Sequence, residues 1–159
     1  IGKLKDVQIH LHTDDTVIPV TQPHQRIPFH IRKKVEKELA RLKELDIIEK
    51  VDGPTQWVSP IVDAPKPINP NEIRICVDMR LPKVAVLRKR HITPTINDLI
   101  VDLNGATIFS KLDLNSGKHQ LELDEKSRNI TSFSAHIGLR RYKCLIFGIS
   151  STAEIFRNT

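Results

Sequence analysis

The chain has 159 residues and a formal net charge of +6, and this length suits one domain. Hydrophobic residues make up 39% and charged residues 28% of it, which is a globular composition and excludes a disordered chain. Two cysteines cannot build a disulfide framework, and no apolar run reaches the length of a membrane span or a signal peptide core. We therefore expect a soluble, intracellular protein without membrane contact. The basic excess fits a polyanionic partner or simple solubility.

The first half of the sequence predicts a lead-in, one helix and two strands. Residues 1–28 contain several prolines, and their apolar residues do not recur at a regular spacing, which indicates an extended lead-in. Over 31–45 apolar residues recur every three or four positions, and this spacing predicts an amphipathic helix. Two β-rich runs follow at 55–64 and 72–79, joined by a turn-rich connection. In the second run apolar and polar residues alternate, so we expect one face to lie on the core.

The second half predicts a helix, a strand and a hairpin. Thr95 is a candidate N-cap for a helix that stops at Gly105. A strand is predicted at 107–112, followed by a hairpin with strands at 130–135 and 139–146. Ser151, with a glutamate at the capping-box spacing, begins a last helix that the sequence cuts off in its first turns. The expected class is α+β, and the interrupted helix indicates a fragment.

Asp113 is the first candidate for chemistry. It follows the strand predicted at 107–112, where a carboxylate at a sheet edge can help to hold a divalent cation. One carboxylate is a weak metal site, and on spacing alone an aspartate that caps a turn is the commoner explanation.

The run around Asp113 also resembles a known motif. FSKLDLNSGKHQLEL at 109–123 resembles, through LDL-x-SG-x-HQ, the first catalytic motif of reverse transcriptases from gypsy-like LTR retrotransposons. Other stretches resemble successive parts of the same domain in the same order: RIPFHIRKKVEKEL, DIIEKVDGPTQWVSPIV, EIRICVDMR, RKRHITPTINDL, SRNITSF, GLRRYK and FGISSTAEIF. The resemblance covers nearly all of 20–159, and residues 1–19 resemble the segment between protease and polymerase in that polyprotein.

The resemblance implies a partial right-hand polymerase fold, with β-hairpins and helices in the fingers and the start of the palm sheet. Fingers are expected at 21–88 and 121–150, and an incomplete palm at 89–120 and 151–159. Residues 1–20 are the lead-in between protease and reverse transcriptase. The implied activity is RNA-directed DNA synthesis, with an RNA template, a DNA primer and deoxynucleoside triphosphates as partners. The oligomeric state stays open.

The resemblance also assigns roles to single residues. Reverse transcriptases join nucleotides with the help of two Mg²⁺ ions. Asp113 matches the first of their three metal-binding carboxylates, and the backbone carbonyl of Leu114 assists. Lys66 and Arg74 match two basic positions that face the incoming triphosphate, where their charges neutralise phosphate.

Further positions match nucleotide and nucleic-acid contacts. Lys118, Phe147 and Gly148 correspond to residues beside the nucleotide, although an aromatic at 147 is more often a core residue. The residues assigned to nucleic acid are Asp78, Arg80, Arg140, Arg141 and Lys143. The first two are template-side or structural. Arg140 to Lys143 form one basic cluster and residues 88–91 form another. Each cluster is interpreted either as a contact for the phosphate backbone or as a solvated charged face.

Two departures from the family pattern limit the expected activity. The Tyr-x-Asp-Asp hairpin that carries the other two carboxylates is absent, and Asp14 and Asp15 lie in a polar, turn-like stretch upstream. Lys118 stands where the family has an aromatic residue, and the sequence also departs from the family pattern around Leu81-Pro82-Lys83 and at Cys144, Ile146 and Arg157. Together these substitutions motivate the hypothesis of a decayed element copy. We therefore expect the chain alone not to polymerise. Three alternatives remain: a non-catalytic nucleic-acid-binding module, an interaction fragment that docks through the helix at 31–45, and a functionless relic.

Overall fold

The computed structural model describes residues 2–65, 72–88, 97, 100, 103–111, 113–149 and 151–157. Its strands are β1 (Gln8–Ile9), β2 (Ile48–Lys50), β3 (Ser59–Pro65), β4 (Ile73–Val77), β5 (Glu122–Leu123), β6 (Phe133–Ala135) and β7 (Gly138–Tyr142). Its helices are α1 (Phe29–Glu44), α2 (Pro82–Ala85), α3 (Glu125–Arg128) and α4 (Thr152–Arg157), with 3₁₀ turns at Gly117–Gln120 and Asn129–Thr131. None of these helices combines the length and the apolar character needed to cross a bilayer.

Five strands form the main sheet in the order β2-β7-β6-β3-β4. Neighbouring strands run antiparallel except β3 and β6, which are parallel. The β3/β4 pair confirms the runs predicted at 55–64 and 72–79, and β6/β7 confirms the predicted hairpin with shorter strands. The architecture is therefore mixed α+β, as the sequence predicts.

The amphipathic helix predicted at 31–45 is confirmed as α1. It begins directly after Pro28, whose fixed φ and missing N–H suit the start of a helix. Val35, Leu39 and Leu42 lie buried on one side of α1, which packs against β2 and β4. Burial of each such side chain contributes roughly 1.5–3 kcal/mol relative to exposure. This packing brings the last turns of α1 beside β4.

The lead-in is extended, as predicted, and it is also part of the packed structure. Strand β1 pairs in parallel with β5. Leu11 is 3% exposed and belongs to the hydrophobic core. The backbone N–H of Leu87 donates to the carbonyl of His12 over 2.8 Å. The sequence did not predict this, because two-residue pairings leave no periodic signal.

The strand predicted at 107–112 is wrong. Residues 107–111 form no strand and are exposed, with Ile108 86% and Phe109 64% accessible. A β-strand requires a neighbour that bonds its backbone, and no described residue pairs with this segment. The described residues 107–111 before Asp113 are therefore irregular.

The helix predicted from Thr95 to Gly105 falls mainly on residues outside the described ranges. Asn97 and Ile100 are helical. Gly105 has φ of 85°, the left-handed conformation that commonly follows a helix end. The helix predicted to begin at Ser151 is confirmed as α4, where the N–H of Ile155 donates to the carbonyl of Ser151 over 2.9 Å.

Candidate functional site

A cavity of about 700 Å³ lies where α1, β4 and β7 meet the segments 115–119 and 146–148. Its floor consists of the buried residues Leu42, Ile75, Tyr142 and Ile146. Its rim is formed mainly by exposed residues, among them Arg41, Arg74, Cys76, Asn115, Ser116, Phe147 and Gly148. The size lies in the range of ordinary small-molecule sites.

Four of the residues assigned to the nucleotide line this cavity. Arg74 reaches it from β4, Lys118 from the 3₁₀ turn, and Phe147 and Gly148 from the loop after β7. Three segments distant in sequence therefore bring the assigned residues to one place. Lys66, the fifth, lies outside the described residues.

Lys118 and Phe147 are in direct contact. The Nζ atom of Lys118 lies 3.6 Å from the centroid of the Phe147 ring, which is a cation–π contact. Partial burial lowers the pKa of Lys118. The exposed ring of Phe147 is thus covered on one side by an ammonium group at the rim.

The turn before Lys118 depends on Ser116 and Gly117. Ser116 has φ of 53°, and a Cβ atom at Gly117 would lie 2.7 Å from Cζ of Phe156 on α4. The Gln120 side chain donates to the carbonyl of Asn115 over 3.0 Å and closes the turn. Ser116 and Gly117 of the motif therefore allow the turn before Lys118 to approach α4 closely.

Asp113 and Leu114 precede the lining segment and are not among the lining residues. Both side chains are exposed, Leu114 by 60%. Within the described residues no three His, Cys, Asp or Glu side chains come together as a metal site. One carboxylate holds Mg²⁺ weakly, so the described residues do not by themselves fit the two-ion site of the resemblance.

Asp78 and Arg80, assigned to nucleic acid or structure, bind each other. The Arg80 guanidinium lies 2.6 Å from Oδ2 of Asp78, and its backbone N–H donates to Oδ1 over 3.1 Å. The Arg80 hydrogen bond lowers the pKa of Asp78. Asp78 is largely buried and holds the turn before α2, while the Arg80 side chain that pairs with it is 82% exposed.

The other three assigned residues lie on or next to β7, and two are neutralised internally. Arg141 Nε donates to Oε1 of Glu49 over 2.6 Å, and Nζ of Lys143 lies 2.7 Å from Oδ1 of Asp46. Arg140 donates to the Leu139 carbonyl. This basic cluster is therefore less available to phosphate than its sequence indicates.

Partial burial acts to raise the pKa of Asp46, yet hydrogen bonds from Lys143 and Lys3 lower it on balance. The lowered pKa keeps Asp46 ionised and able to neutralise both lysines. In the 88–91 cluster, Arg88 pairs with Glu154, and residues 89–91 lie outside the described ranges.

Sequence reasoning missed the contribution of α1 and β7 to the cavity. Glu38 and Arg41, one turn apart on α1, form a two-bond ion pair of 2.8 and 2.7 Å, which raises the pKa of Arg41. The rings of His119 and Tyr142 lie 6.2 Å apart at 24°. The i, i+3 spacing of the ion pair was visible in the sequence, but its position beside β4 depends on tertiary packing.

Curated relatives match almost the whole chain. No family model matches it. The sequence is 33% identical over 161 residues to the retrovirus-related Pol polyprotein from transposon 412 of Drosophila melanogaster, covering 99% of this chain and 13% of that protein. It is 28% identical over 159 residues to uncharacterized protein K02A2.6 of Caenorhabditis elegans, covering 99% of this chain and 12% of that protein. The chain thus spans only a small part of these relatives.

Solved structures similar to the chain include foamy viral proteins. The foamy viral protease-reverse transcriptase in complex with RNA/DNA hybrid matches with a TM-score of 0.76 and 19% identity, over 99% of this chain and 21% of that one. The complex with dsDNA matches with a TM-score of 0.75 and 19% identity, over 99% and 30%. The chain therefore has relatives among retrovirus-related Pol polyproteins of transposons and a mixed α+β fold similar to foamy viral protease-reverse transcriptases.

Proposed function

We propose that the chain is the fingers and early palm of a gypsy-like reverse transcriptase and that its cavity receives the incoming deoxynucleoside triphosphate. The observation that carries the proposal is the convergence of Arg74, Lys118, Phe147 and Gly148 on one cavity. The Pol polyprotein relatives and the similarity to protease-reverse transcriptase structures support it.

Each rim group has a chemical task in this proposal. The exposed guanidinium of Arg74 neutralises phosphate through paired N–H donors. The ammonium of Lys118 adds a second charge, and it can exchange its contact with Phe147 for a phosphate oxygen. The flat face of Phe147, followed by a glycine that adds no side chain, is suited to a sugar or a base. Lys66 would add a third cation.

Mg²⁺ belongs to the proposal only through Asp113. Its carboxylate and the Leu114 carbonyl would supply hard oxygen ligands, and the ion would offset charge on the reacting phosphate. Among the described residues no three His, Cys, Asp or Glu side chains come together to complete such a site. We therefore propose that this chain alone is catalytically incomplete.

RNA template and DNA primer are the proposed macromolecular partners. The similar foamy viral proteins are complexes with an RNA/DNA hybrid and with dsDNA. In this chain the Arg80 side chain pairs with Asp78 yet is 82% exposed, whereas Arg140 donates to the Leu139 carbonyl. Arg80 is the better candidate for a backbone contact.

A chimera tests the proposal directly. This chain replaces the matching residues of the transposon 412 Pol polyprotein, and primer extension is measured on an RNA template. We expect extension that Asp113→Asn abolishes and that Arg74→Ala weakens mainly through a higher KM for the triphosphate. The matched control Asp52→Asn changes an exposed aspartate that pairs with Lys50 and should leave extension unchanged. Extension that persists in Asp113→Asn would refute the assignment of Asp113.

A non-catalytic nucleic-acid-binding module is the second candidate. It is favoured because the described residues form no cluster of three side chains able to hold a metal ion. The discriminating result is a chimera that binds an RNA/DNA hybrid in a salt-dependent way and never extends a primer.

A further inference from the structure

The lead-in carries a pair of histidines that the proposed function does not use. His10 and His12 line a second cavity of about 440 Å³ beside α3, and no described residue lines both this cavity and the one that holds Arg74. The two rings lie with their centroids 4.8 Å apart and their planes at 82°. Residues two positions apart in an extended segment point to the same side, so their spacing in the lead-in brings the two imidazoles together.

The backbone around both histidines is held by other parts of the fold. His10 directly follows β1, which pairs with β5. The N–H of Leu11 donates to the Ser127 hydroxyl over 2.8 Å, and the carbonyl of His12 accepts the N–H of Leu87 over 2.8 Å. These bonds fix the main chain on each side of the two rings before any ligand arrives, as a preorganised site requires.

Asp124 orients the His10 ring. Its Oδ2 atom lies 2.8 Å from Nδ1 of His10. An ionised carboxylate can only accept hydrogen bonds, so Nδ1 carries the proton and Nε2 keeps its lone pair. A carboxylate bound to the other ring nitrogen is the usual support of a histidine that binds a metal ion. Asp124 therefore leaves His10 with one nitrogen ready to coordinate.

The geometry and the charge of the histidine pair fit a transition-metal ion. Two imidazoles that share one ion at nitrogen–metal distances of about 2.0–2.1 Å place their ring centres roughly 5 Å apart, which is close to the separation of His10 and His12. Imidazole suits Zn²⁺, Ni²⁺ and Cu²⁺, whereas Mg²⁺ prefers oxygen ligands. Asp15 and Lys126 also line the cavity, and together with Asp124 the acidic groups outnumber the basic one, which favours a cation.

We propose that His10 and His12 bind one divalent transition-metal ion of the class of Zn²⁺, Ni²⁺ and Cu²⁺. No three His, Cys, Asp or Glu side chains form a metal cluster in the described part of the chain, so water fills the remaining coordination positions. The site lies outside the cavity proposed for the triphosphate and does not depend on Asp113.

Calorimetric titration of the full chain with Zn²⁺ tests this site, and we expect one ion per chain. His12→Gln removes one ligand and leaves the contact between His10 and Asp124 intact, so it should weaken Zn²⁺ binding by at least about tenfold. Asp124→Asn keeps a side chain that can cap α3 but loses the charge behind His10, and it should weaken binding by a smaller factor. His24→Gln makes the same exchange at an exposed histidine of the lead-in outside this cavity and should leave binding unchanged.

Two further measurements keep the test independent of these variants. Electron paramagnetic resonance of the Cu²⁺-loaded chain should show splitting from two imidazole nitrogens, and excess Mg²⁺ should not displace Zn²⁺. The inference would be overturned by absence of Zn²⁺ binding, by displacement with Mg²⁺, by a single coordinated nitrogen, or by equal Zn²⁺ affinity in His12→Gln and His24→Gln. Unchanged binding in Asp124→Asn would overturn its orienting role. None of these measurements involves a triphosphate, so each result leaves the proposed function to its own experiment.

Discussion

Lys118 occupies a defined position at the cavity rim. Its ammonium group lies over the Phe147 ring rather than in open solvent, and its stem is half-buried beside β4. The resemblance of the sequence motif predicts that Lys118 lies next to the nucleotide, and in the structure Lys118 lines the cavity. The cation–π contact could not be predicted, because Phe147 lies 29 positions further along the sequence and reaches it only through the fold. The hypothesis of a decayed copy stays a prediction.

At Gly117 an added side chain would meet the ring of Phe156. We expect Gly117→Ala to lower the free energy of unfolding by about 1–3 kcal/mol, because the new Cβ would lie 2.7 Å from the Phe156 ring. Urea unfolding measures the change. Gly2→Ala is the control, since a Cβ there meets nothing within 4 Å.

A double variant separates this clash from a general effect of alanine at position 117. In a Phe156→Ala background the ring is gone, so Gly117→Ala should cost much less than in the unmodified chain. An unchanged cost in that background would contradict the proposed clash.

Among the elements, those with long periodic signals were predicted well. α1 and the β3/β4 pair follow the helical and alternating patterns of their sequences. The strand predicted at 107–112 had the right composition, but strand formation also requires a pairing neighbour, and the described chain offers none. The β1/β5 pair was not predicted, because these two-residue strands have no sequence pattern and are recognised only by their pairing in the fold.

Asp124 joins α3 to the lead-in. Its carboxylate caps α3 by accepting the Ser127 N–H over 3.0 Å, and it also lies 2.8 Å from Nδ1 of His10. Partial burial acts to raise the pKa of Asp124, but these hydrogen bonds lower it on balance. We expect Asp124→Ala to reduce the free energy of unfolding at pH 7 by about 1 kcal/mol.

The same lowered pKa gives Asp124 a pH dependence. The folded state favours the ionised carboxylate, so its stabilisation is present above the unfolded pKa near 3.8 and is lost as the pH falls through the lower folded value. The loss of stability between about pH 5 and pH 2 should be shallower in Asp124→Ala than in the unmodified chain. Asp52→Ala, at an exposed position, should change little at pH 7. Identical acid profiles for the unmodified chain and Asp124→Ala would contradict this role.

Across the whole molecule, the net charge of +6 overstates the cations available to a polyanion. Arg141, Lys143 and Arg128 pair with acidic residues distant in sequence. Composition predicts the sign of the surface charge, but it cannot predict which cations the fold neutralises. The two acidic partners on or beside β2, Asp46 and Glu49, were not visible as partners in the sequence.

Glu49→Gln should therefore strengthen nucleic-acid binding if the chain contacts the backbone through β7. Glu49 lies 2.6 Å from Nε of Arg141, so its neutralisation removes the acidic partner of Arg141, while Arg128 stays paired with Glu122 over 2.9 Å. We expect tighter binding of an RNA/DNA hybrid and a salt dependence steeper by about one phosphate contact. Fluorescence anisotropy at several salt concentrations measures both. Glu44→Gln makes the same charge change at an exposed site and controls for net charge. Equal gains in both variants would show that β7 makes no specific contact.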